Sequence, residues 1–260
     1  MLHKSSVLIV LLAVCLLAGC GTNSEGKKES AEVELTISAA ASLTDALEEI
    51  KDDYEAKREH VKLSFNFGAS GALQQQIEQG APVDLFLAAA PKNMKALVDK
   101  GLVAEDKQRS LLRNELVVVT PAEGVVEVRD MAELASEQLG KIAVGIPESV
   151  PAGQYAKEAL TSAKLWEVLK SKLVQGKDVR QVLHYVETGN TDAGFVYRTD
   201  ALGSSKVKIA FAVDEAAYTP IQYPIGIVKA SKHSEEAEAF YTYLQSKEAL
   251  DIFIKYGFRT

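Results

Sequence analysis

Residues 61–90 read VKLSFNFGASGALQQQIEQGAPVDLFLAAA. Val61, Leu63, Phe65 and Phe67 alternate with polar residues, the period of a strand with one buried face. Gly68-Ala69-Ser70-Gly71 follows, small residues that allow a sharp turn and a close backbone approach. Leu73 and Ile77 then recur at helical spacing, Gly80 stops the helix ahead of Ala81-Pro82, and 83–88 restarts a strand. The unit is strand, serine-bearing turn, helix, strand. A helix start carries unpaired N–H donors and a partial positive charge, so such a turn can hold an anion without a basic side chain.

The same arrangement recurs along the chain. Residues 33–40 form a first strand, and Ser42 stands before a helix with Leu43, Ala46, Leu47, Ile50 and Tyr54 on one face. Ser42 with Asp45 three residues on resembles a capping box, and capping alone accounts for a serine there. After a charged connection, residues 116–120 form an unbroken apolar run typical of a buried parallel strand. Further on, 141–145 is a buried strand leading to Pro151-Ala152-Gly153 at a helix start, where proline needs no N–H. Asp178 is the expected N-cap of a helix carrying Val179, Val182, Leu183 and Val186. Strands are expected at 193–197, 207–213 and 221–228, and two helices close the chain. Alternating strands and helices indicate α/β architecture. Turns of one local chemistry near 42, 70, 152 and 179 point to one ligand shared between two α/β lobes.

Bulk properties narrow the class. The chain has 260 residues, 47% hydrophobic and 25% charged, ordinary for a globular protein with a substantial core. A net charge of −7 argues against nucleic acid as partner. An acidic protein that binds an anion must do so through locally aimed dipoles.

The N-terminus reads as a targeting segment, 1–19, with Lys4 as positive flank and an apolar stretch over 7–17 too short to span a bilayer. It ends in Leu17-Ala18-Gly19-Cys20, which resembles the lipobox of bacterial lipoproteins and makes Cys20 the expected lipidated first residue. Residues 20–32 then form a polar, disordered tether. Cys15 would be lost with the leader, so the mature chain has no disulfide and no thiolate metal site.

Four stretches carry a family resemblance: Ala39-Ala40-Ala41-Ser42-Leu43-Thr44, GAPVDLF over 80–86, VGIPESVPAGQYAKEAL over 144–160, and KYGF over 255–258. Through them, and over essentially all of 33–258, the chain resembles the molybdate-binding proteins of bacterial ABC transporters, the ModA family. The resemblance implies a two-lobed type II periplasmic-binding-protein fold with a ligand cleft between the lobes. Lobe 1 would comprise 33–114 plus 225–260 and lobe 2 would comprise 115–224, with the strands at 116–120 and 221–228 as hinge. It implies an oxyanion held by the hydroxyls of Ser42 and Ser70 from lobe 1. From lobe 2 would come backbone N–H groups at Ala152 and Val179 and the Tyr197 hydroxyl. Molybdenum would be present only within bound molybdate, and no cofactor is implied. The implied partners are the permease and ATPase subunits of an ABC transporter. A monomer anchored outside the cytoplasm through lipid on Cys20 is expected. One departure is that family members often have a serine-rich turn where this chain reads Gly68-Ala69-Ser70-Gly71. That change loosens the pocket or leaves more of the work to N–H groups.

Molybdate is a fully deprotonated tetrahedral dianion at neutral pH, so a site made only of donors suits it, and tungstate equally. Phosphate keeps a proton and would leave an O–H unpaired, at a cost of about 1–3 kcal/mol. Sulfate differs from molybdate only in size, so a sulfate-binding sibling is the nearest alternative. A serine hydrolase using Ser70 is the remote one. Gly68-Ala69-Ser70-Gly71-Ala72 lacks the glycine that a nucleophile elbow needs at Ala72, and His60, His184 and His233 stand in no persuasive relation to it. No His or acidic residues show metal-ligand spacing, and Asp84 and Asp192 read as turn or cap residues.

Overall fold

The computed structural model describes residues 32–124 and 127–260; the leader, Cys20 and the tether up to 31 lie outside the described residues. Among the described residues ten strands and nine α-helices alternate, the strands in two five-stranded sheets. In the first sheet, β1 (Val33–Ala40), β2 (Val61–Gly68) and β3 (Leu85–Leu87) run parallel in the order β2-β1-β3. Antiparallel β10 (Gln222–Val228) and edge strand β4 (Val103–Arg113) complete it. The second sheet repeats the plan. Parallel β7 (Leu173–Gly176), β6 (Ile142–Gly145) and β8 (Ala193–Tyr197) are followed by antiparallel β5 (Leu116–Pro121) and β9 (Val207–Ala212).

Helices connect the parallel strands, as parallel pairing requires. Beside the first sheet lie α1 (Thr44–Lys57), α2 (Ser70–Glu78) and α3 (Pro91–Asp99). Beside the second come α4 (Pro151–Ser162), α5 (Trp166–Leu169), α6 (Val179–Glu187) and α7 (Arg198–Leu202). The closing pair, α8 (Ser234–Tyr243) and α9 (Lys247–Lys255), returns to the first half, where Ala237 and Phe240 join Leu35, Leu47 and Ile50 in the core. The architecture is the α/β, two-lobed one expected. Among the described residues no helix is long and apolar enough to cross a membrane.

Register places the site. Ala40 at the end of β1 pairs with Gly68 at the end of β2, and Ala39 pairs with Leu87 in β3. In the second sheet Gly145 pairs with Gly176, and Ala143 with Gly194 three residues before Tyr197. The carboxyl ends of three parallel strands are therefore level in each sheet, the place where open α/β sheets bind ligands.

Several expectations need correction. The charged connection before residue 116 is a strand, β4, whose exposed charges belong to a sheet edge. The apolar run of β5 is antiparallel to both of its neighbours, because such a run reports burial rather than strand direction. Ser42 makes no cap: it lies in a 3-10 turn, Ala41–Leu43, and its hydroxyl is engaged elsewhere. β5 and β10, expected as hinge strands, each lie wholly within one sheet. The chain changes sheet at Asn114-Glu115 and again between Ala212 and Gln222.

Candidate functional site

The turns that leave these strand ends meet around one small cavity. Ala40, Ala41, Ser42, Gly68, Ala69, Ser70 and Ala89 line it from the first sheet. Val150, Pro151, Ala152, Val179 and Tyr197 line it from the second. All five expected ligand positions, Ser42, Ser70, Ala152, Val179 and Tyr197, are thus brought together, and each is buried. The cavity left among these residues is small, about 10 Å³. None of the lining residues is charged.

The polar atoms facing this space are hydroxyls and helix-start N–H groups. Ser70 opens α2 and is fully buried; its Oγ accepts a hydrogen bond from the Ala89 N–H at 2.9 Å. That bond leaves the serine proton free. Ser42 Oγ lies 2.9 Å from Tyr223 Oη, and Asn114 Nδ2 donates to the same Oη at 3.2 Å. Tyr197 is 1% exposed, and its hydroxyl has no hydrogen-bond partner. A buried unpaired hydroxyl costs about 1–3 kcal/mol, so its place at a cavity marks a group awaiting a ligand. Burial also pushes the Tyr197 phenol well above its ordinary value, which keeps it protonated and able to donate.

The second lobe adds two helix N-termini. At α4, Pro151 has no N–H, while Val150 N–H is bonded to Ile146 O at 2.8 Å and Gln154 N–H to Val150 O at 3.1 Å. Ala152 and Gly153 are left as first-turn donors without a helical partner. Helix α4 can start this close to β6 because Gly153 is a glycine: a Cβ there would lie 2.0 Å from the Gly145 carbonyl oxygen. At α6, Asp178 is the N-cap expected, accepting from Gln181 N–H at 2.8 Å. The Val179 N–H is then a free first-turn donor at the cavity. Both termini contribute partial positive charge toward one point.

Contacts across the cleft hold the two halves together. Gly71 N–H donates to Ser149 O at 2.9 Å, and a Cβ at Gly71 would sit 2.7 Å from that oxygen. The Gly68-Ala69-Ser70-Gly71 turn is therefore fitted to the opposite lobe at the glycine, where a serine side chain would push the lobes apart. Tyr155 Oη donates to Ala89 O at 3.3 Å. Arg180 reaches from α6 to Asp45 of α1 at 2.6 Å while lying 2.9 Å from the buried Asp200. Burial pushes the Asp200 carboxyl up to about 6, against the pull of Arg180.

This geometry agrees with what the chain resembles. Residues 35–259 match the family model described as bacterial extracellular solute-binding protein. The chain belongs to that family. It is 52% identical over 259 residues, 99% of both chains, to a Bacillus subtilis (strain 168) protein provisionally named an ABC transporter substrate-binding lipoprotein. It is 37% identical over 246 residues, 94% of both chains, to the molybdate-binding protein ModA of Haemophilus influenzae. Among solved structures, the substrate-binding domain assigned to a molybdenum ABC transporter of Clostridium difficile is 45% identical. That likeness has a TM-score of 0.68 and covers 88% of this chain and 99% of the other. These relatives are binding proteins rather than enzymes, and Ser70 Oγ is engaged by a backbone N–H rather than by a base.

Asp84 and Asp192 do the structural work expected of them. Asp84 accepts from Thr36 N–H and Ser231 Oγ, and Asp192 from the N–H groups of Gly140 and Lys141. Among the described residues no cluster of His, Cys, Asp and Glu is arranged to hold a metal ion. Two residues beside the cavity had no signal in the sequence. Tyr223 sits in the apolar run of β10 and reads as core, and Asn114 reads as a connection residue.

Proposed function

We propose that the chain captures molybdate, and tungstate with it, outside the cytoplasm and delivers it to the permease and ATPase of an ABC transporter. Lipid on Cys20 would hold it at the membrane, with the tether giving it reach. The observation that carries the ligand is the uncharged cavity in which Ser42, Ser70, Tyr197 and the helix starts at Ala152 and Val179 converge, with the Tyr197 hydroxyl unpartnered. Every one of these groups can donate. A tetrahedral dianion with acceptor oxygens only satisfies them all and leaves nothing of its own unpaired. Hydrogen bonds to a charged group contribute about 1.5–3 kcal/mol each, so a few of them offset the desolvation of the anion. Closure across the Gly71–Ser149 contact would bury the ligand, and the closed form would be what the permease reads.

Calorimetric titration of the purified chain with molybdate, tungstate, sulfate and phosphate tests this. Tight molybdate and tungstate binding, with sulfate and phosphate weak, is the expected result. Equal sulfate binding would remove the selectivity, and no heat with any of the four would sink the oxyanion assignment. Membrane partition of the chain with Cys20→Ala, which should become soluble, tests the anchor.

A further inference from the structure

Resting on the oxyanion reading, we infer that Asn114 and Tyr223 are positioning residues that fix the direction of the Ser42 hydroxyl proton and so select for ligands that carry no proton. The inference follows from which atoms can donate. Asn114 Oδ1 accepts the Glu115 N–H at 2.9 Å, and a backbone N–H can only donate, so the orientation of the Asn114 amide is set. Its Nδ2 must then be the atom that meets Thr199 Oγ1 at 2.9 Å and Tyr223 Oη at 3.2 Å. An amide nitrogen has no lone pair to offer, so Tyr223 Oη is the acceptor of that bond. Its own proton then has to be placed, and Ser42 Oγ lies 2.9 Å away to take it. With Ser42 as the acceptor of that bond, its proton turns into the cavity it lines.

Each member of this relay is buried: Asn114 is 7% exposed, Tyr223 1% and Ser42 3%. Water has little access to reverse it. Burial also raises the Tyr223 phenol well above its ordinary value, so the proton that the relay needs stays in place. Ser70 reaches the same polarity by a different route, through the Ala89 N–H. Each serine thus offers a proton to the cavity with one of its two acceptor sites already filled, so an oxyanion bearing a proton is received less well than a bare one. The relay also spans the point where the chain crosses between sheets. Asn114 follows β4 of the first sheet, and Thr199 belongs to α7 beside the second. Closing the lobes and setting the Ser42 proton are linked through one amide.

The test compares a ligand without a proton to one with a proton. Molybdate and hydrogen arsenate are both tetrahedral dianions at mildly alkaline pH, and only arsenate keeps an O–H there. Their dissociation constants are measured by direct and competition titration on the wild-type chain, Tyr223→Phe and Asn114→Asp. Phenylalanine keeps the ring that packs on Tyr197 and Phe258 at 5.9 and 5.4 Å but frees Ser42 to accept. Aspartate keeps the shape of Asn114 but can only accept, so Tyr223 donates to it, Ser42 donates to Tyr223, and a lone pair faces the cavity.

The preference for molybdate over arsenate should fall about tenfold in Tyr223→Phe, the size of one relieved unpaired O–H. It should fall further in Asn114→Asp. A loss of packing alone would weaken both ligands together and leave their ratio unchanged. An unchanged ratio in either folded variant, with wild-type binding intact, overturns the relay and leaves the oxyanion site standing. A wild-type chain that binds neither anion overturns the proposed function instead.

Discussion

The two halves of the molecule repeat one sheet plan but offer the cavity different chemistry. From the first come side-chain hydroxyls, Ser42 and Ser70, each oriented by a hydrogen bond behind it. From the second come the first-turn N–H groups of α4 and α6, which are fixed by the helices themselves, together with one hydroxyl, Tyr197, that has no partner. Backbone donors are insensitive to most substitutions but sensitive to anything that moves the helix. Hydroxyls are easily deleted one at a time. A site split in this way should fail as a whole when damaged on one side and in steps on the other.

The largest effect should come from the backbone side. Gly153→Ala places a methyl group 2.0 Å from the Gly145 carbonyl, so α4 must leave its seat on β6. Molybdate binding should vanish in calorimetry and the melting temperature should fall by many degrees. A variant that binds normally would break the claim that the α4 start is held by this contact.

The hydroxyl side should lose affinity in steps. Ser70→Ala and Ser42→Ala should each weaken molybdate binding by about tenfold to a hundredfold, the worth of one hydrogen bond to a charged group. They should differ in stability. Without Ser70 Oγ the buried Ala89 N–H loses its acceptor, so this variant should also melt earlier by about 1–3 kcal/mol of stability. In Ser42→Ala the Tyr223 hydroxyl still accepts from Asn114, and the loss of stability should be smaller.

Tyr197→Phe sharpens the contrast further, because its hydroxyl is unpaired in the fold. Removing it should weaken molybdate binding about tenfold while leaving the ligand-free chain as stable or slightly more so. Chemical denaturation with and without molybdate reads both quantities. A drop in ligand-free stability as large as that of Ser70→Ala would mean that the hydroxyl is structural.

How much of this was legible in the sequence depended on distance along the chain. Ser42, Ser70, Ala152 and Val179 could be singled out because a strand followed by a small-residue turn and a helix is a local pattern. Tyr197 came only with the family resemblance, since a tyrosine ending an apolar strand looks like core. Asn114 and Tyr223 carried no local signal at all. Their meeting depends on β10 pairing with β4, where Tyr223 lies opposite Leu112, a relation between residues more than a hundred positions apart. Strand β4 itself was hidden by its charges, which an edge strand can expose and a central strand cannot. Direction was hidden in β5 for the opposite reason, as a strand buried on both faces reads the same in parallel and antiparallel sheets.

The smallest predicted effect concerns Asp200, which lies behind Arg180 rather than at the cavity. Its carboxyl is raised from 3.8 to about 6 by burial. Between those values the native state holds a proton that the unfolded chain has released. Its contribution to stability is therefore present below 3.8 and is lost as pH rises through about 6. Asp200→Asn removes that slope, so the variant should gain on wild type as pH rises across this window. Paired melting curves at several pH values check the sign. A variant that loses ground with rising pH would show that Arg180 holds the carboxylate charged throughout.

The most direct test of the account is a crystal structure of the chain grown with tungstate, located by its anomalous scattering. One peak is expected within hydrogen-bonding distance, about 2.7–3.2 Å from oxygen to donor, of Ser42, Ser70, Tyr197 and the N–H groups of Ala152 and Val179. A peak elsewhere on the molecule, or a cleft without tungsten under saturating conditions, would contradict the claim that these two differently built walls form one oxyanion site.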